Sequence, residues 1–290
     1  MVVSQIELDH AIQQLRLCDL PVMIHSSLRS FSEPVERGAD GVIDSFLSCG
    51  CTIMVPTFTE SYFSAAPPQH LRPSRNGVDY VALCSNFPEY SLGNVFHKGC
   101  RKIDDSMGAL PRAVLRRVGV HRGLHPLNSF AAVGPLAAQL IVGQTPDDIY
   151  APLRELAHLR GIVLLIGVGL NRMTILHLAE QLAGRRLFIR WAYELEGLTI
   201  AIEVGSCSEG FPNLARYVSG LGRTTVIYGS EWTAYPAWSI LAVAAQAIEA
   251  QPTVTSCGQT TCLRCHDIIL GGPLGTIPLG RAEAGGPNRQ

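Results

Sequence analysis

Charge is scarce in this chain. Of its 290 residues only 16% are Asp, Glu, Lys or Arg, and the formal net charge is −1. A field that weak offers no footing to nucleic acid or to an anionic membrane surface, both of which are held by strong positive patches. No apolar run approaches the roughly 18 residues needed to cross a bilayer. The opening MVVSQIELDHAIQQL also lacks the basic-then-apolar order of a secretory signal. These absences predict a cytoplasmic protein whose default partner is a small molecule; they leave the oligomeric state open. Repeats and linker-like stretches are missing too, so although the length would allow two small domains, one is expected, over residues 1–270. The Gly-, Pro- and Arg-bearing tail at 271–290 is expected to be mobile.

Apolar residues, in contrast, are plentiful at 47%, which argues against disorder and fits a well-buried sheet. The most informative stretch is GIVLLIGVGLNRMTILHLAE, Gly161 to Glu180. Ile162 to Val168 is a continuous apolar run, as in a strand covered on both faces. Gly167 and Gly169 break it, and Asn171 or Thr174 can cap the helix that follows. Within that helix His177 and Glu180 are three apart and share a face. Titratable groups beyond the end of a buried strand sit where α/β folds build their sites.

Two other strand ends carry polar groups. LPVMI (Leu20 to Ile24) runs into His25, Ser26, Ser27 and Leu28, and CTIMVPTF (Cys51 to Phe58) into Thr59 and Glu60. From Ser61 to about Ile103 no period is clear, and the spacing predicts a long surface excursion. A helix over 109–118 leads to HRGLHPLNSFAAVG at His121, whose SFAAVG is strand-like. LFIRWAYEL and LTIAIEV, beyond Arg185, alternate as an antiparallel hairpin, and Tyr235 to Ala250 reads as an alanine-rich helix.

Taken in order, HSSLRS at His25, IMVPTFT at Ile53, SMGALP at Ser106, HRGLHPLNSFAAVG at His121 and LLIGVGLNRMTILHLAE at Leu164 resemble the aminoglycoside 3-N-acetyltransferase family, over roughly residues 5–250. The resemblance implies a three-layer α/β/α fold with a central mixed sheet, distinct from the more common acetyltransferase superfold. It implies acetyl-coenzyme A as donor, an amine as acceptor and no catalytic metal. The family's T-x-x-H-x-x-E motif falls on Thr174, His177 and Glu180, with His177 as general base. The coenzyme-site elements fall on His25, Ser26, Ser27 and Leu28, on Ser106 and Met107, and on His125, Ser129 and Phe130.

The residue types suit that chemistry. An alkylamine is mostly protonated at neutral pH, and histidine is the side chain whose ordinary titration range lets it accept the proton that must leave. Glu180 can orient the imidazole tautomer or point at a cationic substrate; Ser26 and Ser27 can donate to coenzyme oxygens or cap a helix. No cysteine lies in these motifs as a nucleophile, so direct attack in a ternary complex is expected. The resemblance has gaps. A serine common in the family before the His-Pro pair is absent from Arg122–Pro126, and after Glu60 the loop SYFSAAPPQ holds no further carboxylate for a polycation. Glu60 and Glu209 are the candidate substrate contacts. The expected acceptor is the 3-amino group of an aminoglycoside, which would make the protein a resistance enzyme, and the alternative is another amine such as a biosynthetic intermediate. A coenzyme- or zinc-binding protein without catalysis is the remaining alternative, against which the joint presence of Thr174, His177 and Glu180 counts.

Nine cysteines, an odd number, are expected as reduced thiols or as metal ligands where they cluster. CGQTTCLRCHD places Cys257, Cys262, Cys265 and His266 within reach of one ion, and structural zinc is the natural candidate for soft ligands. The fourth ligand comes from His266 or from Cys207. Family members with a similar C-terminal Cys-x-x-Cys favour Cys207.

Overall fold

The apolar runs with no polar alternation become the middle of a mixed sheet. The computed structural model describes residues 1–83, 87, 89–275 and 280–281. Ten strands are present among them: β1 (Pro21–Ser26), β2 (Thr52–Pro56), β3 (His121–Arg122), β4 (Phe130–Val133), β5 (Ile162–Ile166), β6 (Phe188–Tyr193), β7 (Thr199–Val204), β8 (Arg223–Ile227), β9 (Ser230–Pro236) and β10 (Gly280–Arg281). Seven form one sheet in the order β3-β4-β2-β1-β5-β9-β8. β1 lies parallel to both β2 and β5, while β9 runs antiparallel to β5 and β4 antiparallel to β2.

Successive side chains of a strand point to opposite faces, and each face has its own core. Met23, Met54, Val163 and Leu165 pack under the helices Ala151–His158, Ile175–Leu182 and Ala237–Ala250. Val22, Ile24, Ile53, Leu164 and Trp232 pack under Gln5–Gln14, Gly38–Ser48 and Ala109–Val114. The three-layer α/β/α arrangement follows. Among the described residues no helix is long and apolar enough to cross a membrane.

The hairpin expected beyond Arg185 is there, as β6 paired with β7, but it belongs to a separate three-stranded sheet of order β10-β7-β6. The excursion at 61–103 contains short helical pieces at Glu60–Phe63, Gln69–Leu71, Tyr80–Leu83 and Leu92–Asn94, with 84–86 and 88 outside the described residues. Two readings need correction. No strand was expected at 223–236, yet β8 and β9 form a hairpin there, turned by Tyr228 and Gly229, both at positive φ as a two-residue hairpin loop requires. Their threonine-rich alternation puts polar side chains on an exposed face. The helix expected from Tyr235 starts instead at Ala237, because Tyr235 and Pro236 pair with Val163 and Ile162 in the sheet. The first residues of the tail are held: Leu274 donates its N–H to the Arg75 carbonyl at 2.9 Å, and Gly280–Arg281 pair with β7. The rest of the tail, 276–279 and 282–290, lies outside the described residues.

Candidate active site

The end of β5 fixes the site. Gly167 has φ +60, and a Cβ there would stand 2.0 Å from the Ser30 hydroxyl, so the chain can turn closely past the Ser27–Ser30 turn only without a side chain. A short turn over Leu170–Arg172 then delivers Thr174 and the Ile175–Leu182 helix. Thr174 occupies the position before the first helical residue but makes no side-chain cap, and neither does Ser27 before its own short turn; neither hydroxyl serves as a cap.

One turn into the helix, His177 and Glu180 meet. Glu180 accepts from His177 Nδ1 at 3.1 Å, with the His177 side chain 11% exposed and the carboxylate fully buried. Four donors converge on the two carboxylate oxygens. Oε2 takes His177 and the Ser206 hydroxyl at 2.5 Å; Oε1 takes Arg185 at 2.7 Å and the Thr255 hydroxyl at 3.3 Å. Arg185 also bonds Thr255 at 2.7 Å and the Pro252 carbonyl. A buried carboxylate so paired and hydrogen-bonded is compensated for leaving water. With Nδ1–H committed to Glu180, the imidazole presents Nε2 as its basic atom. Glu180 has no exposed surface and holds the ring through that hydrogen bond. Phe211 lies against the imidazole with centroids 4.7 Å apart. Gly205 crosses behind it: a Cβ would come to 2.8 Å from both His177 Cδ2 and the Tyr150 hydroxyl.

A second group of carboxylates surrounds Tyr150. Its hydroxyl is held well above the ordinary range, first by burial and then by Glu180, Glu203 and Glu60. Burial, with Asp148 and Asp147 alongside, likewise raises the Glu203 carboxyl. Glu60 is exposed and accepts from Asn128 at 3.0 Å, so it belongs to this group. Glu209 is exposed and accepts from Asn171 at 3.2 Å.

The coenzyme-site candidates divide by exposure. Ser26, Ser27, Leu28 and Met107 are half-buried and Ser106 is exposed. His25 is buried, accepts from the Thr174 N–H at 3.4 Å, and burial pushes it down to about 3; it is a neutral brace between β1 and the turn before the helix. Three others turn inward. His125 spends Nε2 on the Glu203 carbonyl at 2.9 Å and Nδ1 on the Asn128 N–H at 2.9 Å, and it too is pushed down to about 3 by burial. Ser129 is buried between Arg122 and Thr57, and Phe130 is buried edge-on to Phe58. These residues hold the loop together, with both ring nitrogens of His125 and the Ser129 hydroxyl hydrogen-bonded within the protein.

Away from the imidazole, Cys207, Cys257, Cys262 and Cys265 bring their sulfurs within 4.8 Å of one another. Thiolates about 2.3 Å from a tetrahedral ion would lie about 3.8 Å apart, inside that span. The Cys257 N–H donates to Cys265 Sγ at 3.3 Å, support of the kind that thiolate ligands receive. His266, the other candidate for the fourth position, is turned outward onto Asp267 at 2.9 Å with its side chain 68% exposed.

A family model described as aminoglycoside 3-N-acetyltransferase matches residues 23–202. The chain belongs to that family. Among curated relatives it is similar to aminoglycoside N(3)-acetyltransferase IX of Micromonospora chalcea, 34% identical over 190 residues, which is 63% of this chain and 64% of that protein. The match therefore spans less than two thirds of that relative's length. Solved family structures share the fold: aminoglycoside acetyltransferase AAC(3)-IVa in complex with a gentamicin superposes with a TM-score of 0.72 at 22% identity, covering 93% of this chain and 98% of that one. AAC-IIIb as a binary complex with CoASH gives 0.66 at 21% identity, covering 87% and 98%.

Within the family frame, sequence reasoning missed Arg185, Ser206, Thr255, Tyr150, Phe211 and Glu203. Arg185 was within reach, since it lies five residues after Glu180 on the chain that leaves the helix. Ser206 and Thr255 approach from separate loops and carry no local signal.

Proposed function

We propose that this chain transfers the acetyl group of acetyl-coenzyme A to an amine of an aminoglycoside, at the 3-position the family is named for, by direct attack in a ternary complex. The observation that carries this reading is the His177–Glu180 pair, buried, tautomer-fixed and backed by Arg185, at the end of β5. His177 Nε2 takes the proton from the attacking amine; nitrogen bonds the acetyl carbon as the carbon–sulfur bond breaks, and the coenzyme leaves as its thiolate, which receives that proton from His177 to become the thiol. Glu180 stabilises the imidazolium that forms, as a carboxylate does when it holds an imidazole. Charge growing on the acetyl oxygen needs donors, which the half-buried hydroxyls of Ser26 and Ser27 and the Thr174 side chain can supply. Leu28, Ser106 and Met107 remain as coenzyme contacts.

Two observations favour a polycationic acceptor. Glu60 and Glu203 both act on Tyr150, Asp147 and Asp148 both act on Glu203, and the raised Glu203 carboxyl marks a place where an arriving ammonium is stabilising. AAC(3)-IVa is described with a gentamicin, and AAC-IIIb with CoASH. We also assign zinc to Cys207, Cys257, Cys262 and Cys265: a closed four-thiolate site supplies folding energy and no chemistry.

Thiol release from acetyl-coenzyme A by the purified protein, against gentamicin, apramycin and simple alkylamines, tests the reading. Release with the aminoglycosides alone is expected. Coenzyme binding without release on any aminoglycoside would move the acceptor to another amine.

A further inference from the structure

Two loops meet beside the Glu180 carboxylate, and both lead into the cysteine cluster. The first runs through Ser206 and Cys207 to Phe211. Ser206 bonds Glu180 Oε2, the next residue is a cluster sulfur, and Phe211 packs on the His177 ring. The second runs from Pro252 to Cys257. Thr255 bonds Glu180 Oε1 and Arg185, and two residues later Cys257 enters the cluster. The loops lie backbone to backbone where they pass: a Cβ on Gly210 would stand 2.1 Å from the Thr255 carbonyl oxygen, and Asn213 donates to the carbonyls of Val254 at 3.1 Å and Ser256 at 3.0 Å. Neither loop is an inner strand or long helix, so little regular structure fixes its path.

Resting on the zinc assignment above, we propose that the four-cysteine cluster is a positioning device for the reaction: closing it seats Ser206, Thr255 and Phe211, and thereby sets the carboxylate of Glu180 and the ring of His177. Cys207 and Cys257 are one and two residues from hydroxyls on opposite oxygens of the same carboxylate, so opening the cluster frees both at once. Ser206 and Thr255 are positioning residues that act through Glu180. The cluster then does more than hold the C-terminal segment, and its loss falls on turnover rather than on coenzyme binding, since His25 to Leu28 sit at the end of β1 on other supports.

The test is a double-mutant cycle between metal content and the two hydroxyls. The full-length protein is prepared zinc-loaded and zinc-stripped, as the natural sequence and as Ser206→Ala/Thr255→Val. Zinc content, coenzyme A affinity, and kcat and KM with gentamicin are measured for each. Stripping is expected to lower kcat of the natural sequence by about ten- to a hundredfold, the usual scale for loss of outer-shell support, with coenzyme A affinity and acetyl-coenzyme A KM unchanged. In the double variant, stripping should add little. Independent losses, or a stripped protein with full kcat, overturn the proposal and leave the zinc assignment standing. A protein that takes up no zinc overturns the assignment and the proposal together. Should the stripped protein unfold, or no acceptor turn over, release of zinc to a chelator from loaded protein decides, because coupling is reciprocal. Faster release from Ser206→Ala and from Glu180→Gln supports the coupling, and unchanged release contradicts it.

Discussion

Glu180 and Glu203 both exert their charge on the same buried tyrosine, Tyr150, yet their surroundings are opposite. Glu180 is fully buried and receives four donors, with a guanidinium among them. Glu203 is half-buried, and the groups that perturb it beyond burial are further carboxylates, Asp148 and Asp147. Environment therefore sets two identical side chains apart, as it does wherever paired carboxyl groups serve different roles. Glu180 is complete without a ligand and can hold a base in place. In the proposed reading a polyamine would bring Glu203 a cation.

The sharpest way to break this contrast is Glu180→Ala. It leaves Arg185 buried without its counter-charge, which costs about 3–5 kcal/mol, and it frees the His177 tautomer. A large loss of thermal stability together with loss of turnover is expected by calorimetry and thiol release. Acid comes next and attacks the scaffold of both regions. His25 and His125 are held neutral, pushed down to about 3. Stability from these depressed groups is fully present above the ordinary histidine value of about 6.5. It is lost as pH falls from there toward about 3, at about 1.4 kcal/mol per pH unit for each ring. Denaturant midpoints taken down a pH series should fall steeply below about 6.5, and less steeply in His125→Asn. The smallest effect is Glu203→Gln. Because the folded carboxyl is raised, its protonated form is stabilising at low pH and that contribution is lost as pH rises through the raised value. The variant should melt slightly higher at neutral pH while KM for gentamicin rises and KM for acetyl-coenzyme A does not. An unchanged gentamicin KM would remove Glu203 from the acceptor side.

Much of this was legible in the residues. The apolar run Ile162–Val168, the glycine break and the three-residue spacing of His177 and Glu180 place the pair at a strand end, and the structure puts them in contact. Local spacing carries such information because both ends of the interaction lie on one helix. Ser206, Thr255 and Glu203 were not legible, since each reaches the site from a segment far along the chain. β8 and β9 escaped because polar residues such as Thr224, Thr225, Glu231 and Thr233 interrupt their apolar ones and leave a weak apolar signal. His125 and Ser129 show the converse: a motif located them, while only the three-dimensional hydrogen bonding reveals that their polar atoms are spent on the protein itself.

The proposed role of His177 as the base stands or falls with His177→Ala, for which turnover and coenzyme A binding are measured on the same preparation. The account predicts that kcat with gentamicin drops by about 10²- to 10⁴-fold, the span of general-base contributions, while coenzyme A binds as before and the fold melts normally. A variant that acetylates gentamicin at the rate of the natural sequence would contradict it.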